Sequence, residues 1–94
     1  MKVYTLYCGC NIPASTQTVS DSDMINFLKS QTLFEGLTVF KGHGFWKGEF
    51  ENSFLIEIAT DDAEKVYQLA KLYQLKFSQE SVGIKDYKNE MFFI

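Results

Sequence analysis

Residues 36–58 read Gly36-Leu-Thr-Val-Phe-Lys-Gly-His-Gly-Phe-Trp-Lys-Gly-Glu-Phe-Glu-Asn-Ser-Phe-Leu-Ile-Glu-Ile58, so that two apolar, strand-like runs flank a glycine-rich segment. This stretch contains four of the six glycines, the single histidine (His43) and the single tryptophan (Trp46) of the chain. Two carboxylates, Glu49 and Glu51, precede the second run. Rare side chains, flexible backbone and carboxylates concentrated in one place predict a hairpin that carries a site.

The segments around this hairpin predict a regular order of strands and helices. Ser20 with Asp23 forms an acidic variant of the capping box, which indicates a helix start, and Gly36 supplies a stop. The expected elements are a strand at 2–10, a helix at about 21–34, strands at 37–40, 54–58 and 81–84, a second helix with the buried stripe Ala63, Val66, Tyr67, Ala70, Tyr73 and Phe77, and an apolar tail at 91–94. Residues 42–48 are expected to form a long turn.

The predicted order, β-α-β-β-α-β, indicates the ferredoxin-like plait when the crossovers are right-handed. We therefore expect one α+β domain over residues 1–94, with a four-stranded antiparallel sheet, two helices on one face, and the tail as a candidate fifth strand. The other face would present side chains such as Tyr4 or Leu6, depending on register. Because an apolar face of this kind is rarely left exposed, we expect a homo-oligomer whose interface includes residues 91–94.

The plait also predicts where a site would lie. Strand one runs parallel to strand two and antiparallel to strands three and four in this topology. Four segments therefore meet at one edge of the sheet, namely residues 9–11, 42–44, 51–53 and 79–81. Glycines, amides and carboxylates converge there, which is how small folds commonly build pockets.

Two acidic and two aromatic residues of the hairpin are candidates for a site. Glu51 would orient a water, accept a hydrogen bond from a ligand or face a cation; the alternative is a solvated strand-end carboxylate, and Glu49 is an equally placed candidate. Trp46 and Phe45 would stack on a purine or an alkylated sulfur centre. The alternative for these rings is a hydrophobic plug or an interface anchor.

Further candidates lie at the same edge of the predicted sheet. Gln79 and Glu80 would read a ligand's amino or carboxyl groups, or they would only be polar residues at a helix end. Gly44 and Tyr7 complete the candidate ligand-binding set, although Tyr7 is also expected in the core or an interface. His43, between two glycines, is expected to be an exposed loop residue.

Composition excludes several classes of function. The formal net charge is −3, and all nine basic residues are scattered lysines, so nucleic acid is not expected as a partner and no bidentate arginine clamp on phosphate is available. Cys8 and Cys10 make an incomplete metal set with one distant histidine, and we expect reduced thiols without a catalytic role. With neither a signal peptide nor an apolar run long enough for a membrane span, the sequence predicts a cytoplasmic protein.

The segment Gly44–Ile58 resembles small phage proteins, in particular the phage S-adenosylmethionine lyases, or SAMases. The shared features are the βαββαβ order, an aromatic residue just after a strand-two glycine, and a carboxylate just before strand three. The chain is also similar to an uncharacterised bacterial domain family with a Gly-Leu-Thr-Val strand and a Gly-x-Trp turn. No activity can be inferred for this chain from its similarity to this second family.

The resemblance to the lyases implies a cytoplasmic homotrimer, in the host cell if phage-encoded, with active sites between subunits. It would cleave S-adenosylmethionine into methylthioadenosine and homoserine lactone, without a metal or redox cofactor, and so oppose host restriction. Glu51 would take the family's functional carboxylate position, whereas Trp46 stands where the family has a tyrosine. The alternatives are a non-enzymatic anti-defence binder that sequesters a nucleotide-like ligand or a host protein, and a purely structural oligomerising module.

Overall fold

The computed structural model describes residues 1–94, which form five strands and two helices. In chain order the elements are β1 (Lys2–Gly9), α1 (Asp21–Ser30), β2 (Thr38–Trp46), β3 (Glu49–Thr60), α2 (Ala63–Lys76), β4 (Gly83–Lys85) and β5 (Met91–Phe93). The predicted β-α-β-β-α-β order is therefore confirmed, and the apolar tail does add a fifth strand.

The five strands form one antiparallel sheet in the order β2-β3-β1-β4-β5. Central β1 pairs with β3 over its whole length, from Lys2 opposite Thr60 to Gly9 opposite Ser53. The first four positions are those of a ferredoxin-like plait, and β5 extends the sheet beyond β4. The expectation of a four-stranded sheet is thus corrected to five strands in an α+β fold.

Helix α1 begins as predicted but ends earlier. Ser20 and Asp23 form the capping box in both directions. The helix stops at Ser30 because the Gln31 side chain takes over the following backbone groups: Oε1 accepts hydrogen bonds from the amides of Leu33 and Phe34 at 2.7 and 3.0 Å. The predicted end near residue 34, with Gly36 as the stop, is therefore wrong, since a local side-chain turn competes with the helix.

The hairpin is longer and tighter than predicted. Strand β2 continues through the glycines to Trp46, and β3 already begins at Glu49. Only Lys47 and Gly48 form the turn, with φ of 52° and 81°, which matches a type I′ connection between two strands. Residues 42–46 of the expected long turn are therefore strand, only residues 47–48 are turn, and Glu51 lies inside β3 rather than before it.

The two faces of the sheet differ in what covers them. Along β1, Tyr4, Leu6 and Cys8 are buried beneath the helices, whereas Val3 and Tyr7 alternate onto the opposite face, which no helix covers. We call that second face the open face. Tyr4 and Leu6 therefore belong to the core and not to the open face.

The core between the sheet and the helices contains 17 buried residues, none of them charged. Helix α2 contributes Val66, Leu69, Ala70 and Tyr73. Tyr67, predicted in this stripe, is exposed, and Leu69 takes the buried position instead. Strand β4 is shifted from the predicted 81–84 to 83–85, and neither helix has the length and apolarity needed to cross a membrane.

Candidate functional site

A cavity of about 440 Å³ lies on the open face, where the ends of β1 and β2 and the start of β3 approach the segment before β4. Its lining residues are Tyr7, Gly9, Asn11, Pro13, Gly44, Phe45, Trp46, Lys47, Glu49, Glu51, Ser53, Gln79, Glu80, Ser81, Gly83 and Phe93. All four segments expected to meet at this edge of the sheet contribute to the lining. The structure therefore brings the predicted candidates together around this cavity, although the Phe45 ring packs on Phe50.

Glycines form part of the cavity floor. Gly9, Gly44 and Gly83 lie on three different strands and line the same cavity. A β-carbon at Gly44 would meet no atom within 4 Å, so the space above this residue belongs to the cavity. Glycine in a strand commonly marks a close approach of another group. At Gly44 the missing side chain leaves the hollow open, whereas Gly9 lies beneath the Glu51 carboxylate.

Glu51 is the carboxylate that the fold encloses. It is half-buried in β3, and its Oε2 accepts a hydrogen bond from the backbone amide of Asn11 at 3.1 Å. Glu49 is exposed at the end of the hairpin, opposite Trp46. Both line the cavity, but only Glu51 is held by another segment of the chain, so the structure separates two carboxylates that the sequence left equivalent.

The tip of the hairpin reaches across the cavity to the segment before β4. Trp46 Nε1 donates a hydrogen bond to Glu80 Oε2 at 3.3 Å, and Lys47 Nζ donates to Glu80 Oε1 at 2.7 Å. These two donors, Lys47 first, lower the pKa of Glu80. The Trp46 ring also lies 6.2 Å from the Phe93 ring of β5, centroid to centroid. Trp46 therefore joins the hairpin to the far side of the sheet.

The end of β1 is anchored from the helix side. The buried Tyr73 hydroxyl donates a hydrogen bond to the carbonyl of Gly9 at 2.6 Å, and Gln79 Nε2 donates to the carbonyl of Asn11 at 2.9 Å. Burial raises the pKa of Tyr73, so the hydroxyl remains a donor at neutral pH. Gln79, predicted to contact a ligand, has its amide nitrogen engaged in supporting the cavity wall.

Phe45 and His43 belong to the opposite side of β2. The Phe45 ring packs edge-to-face on Phe50 with centroids 5.2 Å apart, and the His43 ring stacks on the same phenylalanine at 5.4 Å. The prediction that His43 is a loop residue is wrong, because it lies within β2. Although Phe45 is counted in the cavity lining, its ring packs away from Trp46.

The charge around the cavity is predominantly negative. Three carboxylates, those of Glu49, Glu51 and Glu80, face one lysine, Lys47, which is paired with Glu80. The rings of Tyr7, Trp46 and Phe93 supply the aromatic part of the lining. Carboxylates and aromatic faces both attract cations. The arrangement suits a ligand that is cationic or zwitterionic and has an aromatic part.

The two cysteines lie beside this site and not in its lining. Both thiols are free and buried. Burial, with a further contribution from the negative charge of Glu51, raises the pKa of Cys10 to about 11, and burial raises that of Cys8 further. Both thiols are therefore protonated at neutral pH. No group of three or more His, Cys, Asp or Glu side chains is arranged to hold a metal ion.

Comparison with known proteins places the chain in a family. The family model described as "Protein of unknown function (DUF3574)" matches residues 3–93. The chain belongs to the DUF3574 family. No curated protein matches the sequence.

A solved structure shares the fold of this DUF3574 protein. It is a phage SAM lyase in the apo state, with a TM-score of 0.74 and 22% sequence identity. The match covers 99% of this chain and 87% of the lyase chain. The resemblance to phage S-adenosylmethionine lyases is therefore confirmed at the level of the fold.

Several cavity residues of this DUF3574 protein were missed from sequence. Phe93 was expected only at an interface, and Lys47 and Gly83 were not considered as lining residues. No local pattern signals Gly83, because its place in the lining depends on the register that puts it opposite Tyr7. The position of Phe93 required knowledge of the β4–β5 register, in which it lies opposite Gly83.

Proposed function

We propose that this protein binds S-adenosylmethionine in the open-face cavity and cleaves it to methylthioadenosine and homoserine lactone. The observation that supports this most directly is the lining of the cavity: three carboxylates and three aromatic rings around a glycine floor. This lining occurs in a chain that shares its fold with a phage SAM lyase.

The charges of the substrate match those of the lining. S-adenosylmethionine carries a sulfonium and an ammonium group, with one carboxylate and an adenine ring. Glu51 and Trp46 both line the cavity; in this proposal Glu51 accepts a hydrogen bond from the ammonium group, and Trp46 stacks on the adenine or the sulfonium. The absence of arginine disfavours a highly phosphorylated ligand in the same space.

The reaction makes few chemical demands on the protein. An oxygen of the substrate's own carboxylate attacks the γ-carbon, the bond from that carbon to sulfur breaks, and its electron pair leaves with sulfur as neutral methylthioadenosine. The lactone keeps the ammonium group, so no proton transfer or co-reactant is needed. The sulfonium and carboxylate charges of the substrate neutralise each other in this step. A water-poor cavity stabilises these separated charges less than water does, so the cavity favours the reaction.

Orientation is therefore the main task of the site. An attack within one molecule requires the substrate to fold so that the carboxylate oxygen approaches the γ-carbon in line with the breaking bond. In our proposal Glu51 holds the ammonium end while Trp46 and Tyr7 hold the nucleoside end. Trp46 lacks the hydroxyl of the tyrosine that the lyase family has there, so its contribution is ring stacking.

We further propose a homo-oligomer, with a trimer favoured by the resemblance to the lyases. Val3, Phe40, Met91 and Phe93 leave apolar side chains exposed on the open face. A neighbouring subunit that covers them would also exclude water from the cavity. Static light scattering on the purified protein tests this directly, and a monomer at micromolar concentration would contradict a site shared between subunits.

The test of the activity is incubation of the purified protein with S-adenosylmethionine, followed by chromatography for methylthioadenosine and homoserine lactone. Glu51→Gln is expected to reduce turnover about 100-fold, the size of effect seen when one oriented electrostatic contact is lost. Glu49→Gln is the matched variant, with a smaller expected loss because its carboxylate is exposed. Absence of both products at micromolar wild-type enzyme would refute the lyase proposal.

Calorimetry with the same substrate separates the enzyme from a binder. Binding without product formation would favour the alternative of a protein that sequesters a nucleotide-like ligand. Loss of that binding in Glu51→Gln, but not in Glu49→Gln, would still assign the ligand to this cavity.

A further inference from the structure

We infer that Gly9 is a positioning residue for Glu51: its missing side chain, together with the backbone amide of Asn11, holds the Glu51 carboxylate in one orientation in the cavity. The consequence for catalysis depends on the proposed function. The positioning itself does not, and it is testable without any substrate.

Register brings the two residues together. Gly9 pairs with Ser53, and Glu51 precedes Ser53 by two residues on the same face of β3. Such diagonal neighbours are roughly 7–8 Å apart between α-carbons, within reach of a long side chain. Glu51 therefore lies across the neighbouring strand and over Gly9.

The carboxylate approaches Gly9 so closely that any side chain at position 9 would have to displace it. A β-carbon on Gly9 would lie 2.8 Å from Oε1 and 3.0 Å from Oε2 of Glu51. Oε2 is also the atom that accepts from the Asn11 amide at 3.1 Å, while Oε1 accepts from no group of the chain. Oε1 is the oxygen available to a ligand.

The backbone beneath the carboxylate is anchored at three consecutive residues. The Gly9 carbonyl accepts from Tyr73 at 2.6 Å, the Cys10 amide donates to the carbonyl of Asn52 at 3.0 Å, and the Asn11 carbonyl accepts from Gln79 at 2.9 Å. Residues 9–11 therefore form a rigid support for Glu51. Rigid support of a ligand-binding side chain reduces the conformational entropy that this side chain loses when the substrate binds.

This geometry makes Gly9→Ala a selective variant. The three atoms nearest to the added methyl group all belong to the far end of the flexible Glu51 side chain, and Gly9 lacks the left-handed φ that would penalise alanine. The fold is therefore expected to persist while the Glu51 carboxylate moves. The matched control is Gly36→Ala, because Gly36 is exposed and its β-carbon, unlike that of Gly9→Ala, would meet nothing within 4 Å.

The kinetic test compares turnover of S-adenosylmethionine in these variants. Gly9→Ala should reduce kcat about 100-fold, the order of loss that follows a misplacement of roughly 1 Å, with a melting temperature close to wild type. Gly36→Ala should match wild type. In a Glu51→Gln background, Gly9→Ala should cause little further loss, since residues that act through one group are not additive. Fully additive losses would overturn the inference.

A second readout requires no activity. The Asn11 amide resonance, followed by NMR as pH is lowered, should shift with protonation of the carboxylate it contacts. This titration should persist in Glu49→Gln and disappear in both Glu51→Gln and Gly9→Ala. An Asn11 amide that titrates identically in wild type and Gly9→Ala would overturn the inference.

The two readouts keep the proposals distinguishable. If wild type produces no methylthioadenosine but the Asn11 titration behaves as expected, the lyase proposal fails and the positioning inference stands. If Gly9→Ala fails to fold, the Asn11 amide resonance of wild type and Glu51→Gln still tests whether the Asn11 amide holds the Glu51 carboxylate. A wild-type Asn11 amide that does not respond to Glu51 would overturn the positioning inference.

Discussion

The two faces of the sheet are built from the same strands but differ in composition. On the helix-covered face Leu6, Ile56 and Ile84 are almost fully buried in a continuous core. On the open face the same strands present glycines and carboxylates, and the Glu51 carboxylate lies over Gly9. Packing on the helix-covered face stabilises the fold, whereas the open face has less side-chain packing and contains the cavity.

The two faces divide stability and ligand contacts between them. Strand alternation places neighbouring residues on opposite faces, so Cys8 lies in the core while Gly9 lies under the site. Substitutions on one face should then affect folding, and those on the other should affect ligand contacts.

Leu6→Ala should produce the largest change. Leu6 is fully buried at the centre of β1, so truncation should reduce the free energy of unfolding by about 3 kcal/mol through lost burial and a residual cavity. Val3→Ala, on the open face of the same strand, should cost roughly 0.5 kcal/mol. Urea unfolding measures both. A comparable, concentration-dependent loss in Val3→Ala would show that another subunit covers the open face.

Tyr73→Phe probes the one hydrogen bond that links α2 to the end of β1. Removing the hydroxyl leaves the Gly9 carbonyl without this donor, which should cost about 1–2 kcal/mol. Thermal unfolding should show a lower melting temperature, with no change for Tyr67→Phe, whose ring is 37% exposed. Equal effects of the two variants would mean that this bond does not support β1.

Gly44→Ala should separate stability from binding. Its β-carbon would enter open cavity space, and replacing a strand glycine by alanine restricts the unfolded chain, so stability should rise by about 0.5 kcal/mol. The same methyl group narrows the cavity and should weaken binding of S-adenosylmethionine. Thermal unfolding and calorimetry on one preparation test both. Unchanged affinity would place the ligand away from Gly44.

The contact between Trp46 and Glu80 should respond to pH. Because the pKa of Glu80 is lowered in the folded protein, the contact is fully present above the ordinary value of 4.5 and is lost as pH falls through the lowered value. Fluorescence of Trp46, the only tryptophan, should change over that acidic range. Glu80→Gln should abolish this step. A step that persists in that variant would assign it to another carboxyl group.

Much of the fold was predictable because local signals agreed with the tertiary packing. The capping box at Ser20 and the alternation along residues 2–9 both appear as expected. The failures came where one signal had two interpretations. The pattern predicts turn residues at Gly42 and Gly44, but both lie within β2, only Gly44 lines the cavity, and the turn is confined to Lys47 and Gly48.

By itself the sequence determined the order of elements and the group of segments that meet at one edge of the sheet. These follow from hydrophobic periodicity and from chain topology, which are local or nearly local properties. The difference in burial and contacts between Glu49 and Glu51, the side of β2 on which Phe45 packs, and the position of Gly9 beneath a carboxylate arise only in the folded chain. Those outcomes depend on strand register and on contacts between residues about 40 positions apart, such as the Asn11 amide with Glu51, which no local pattern encodes.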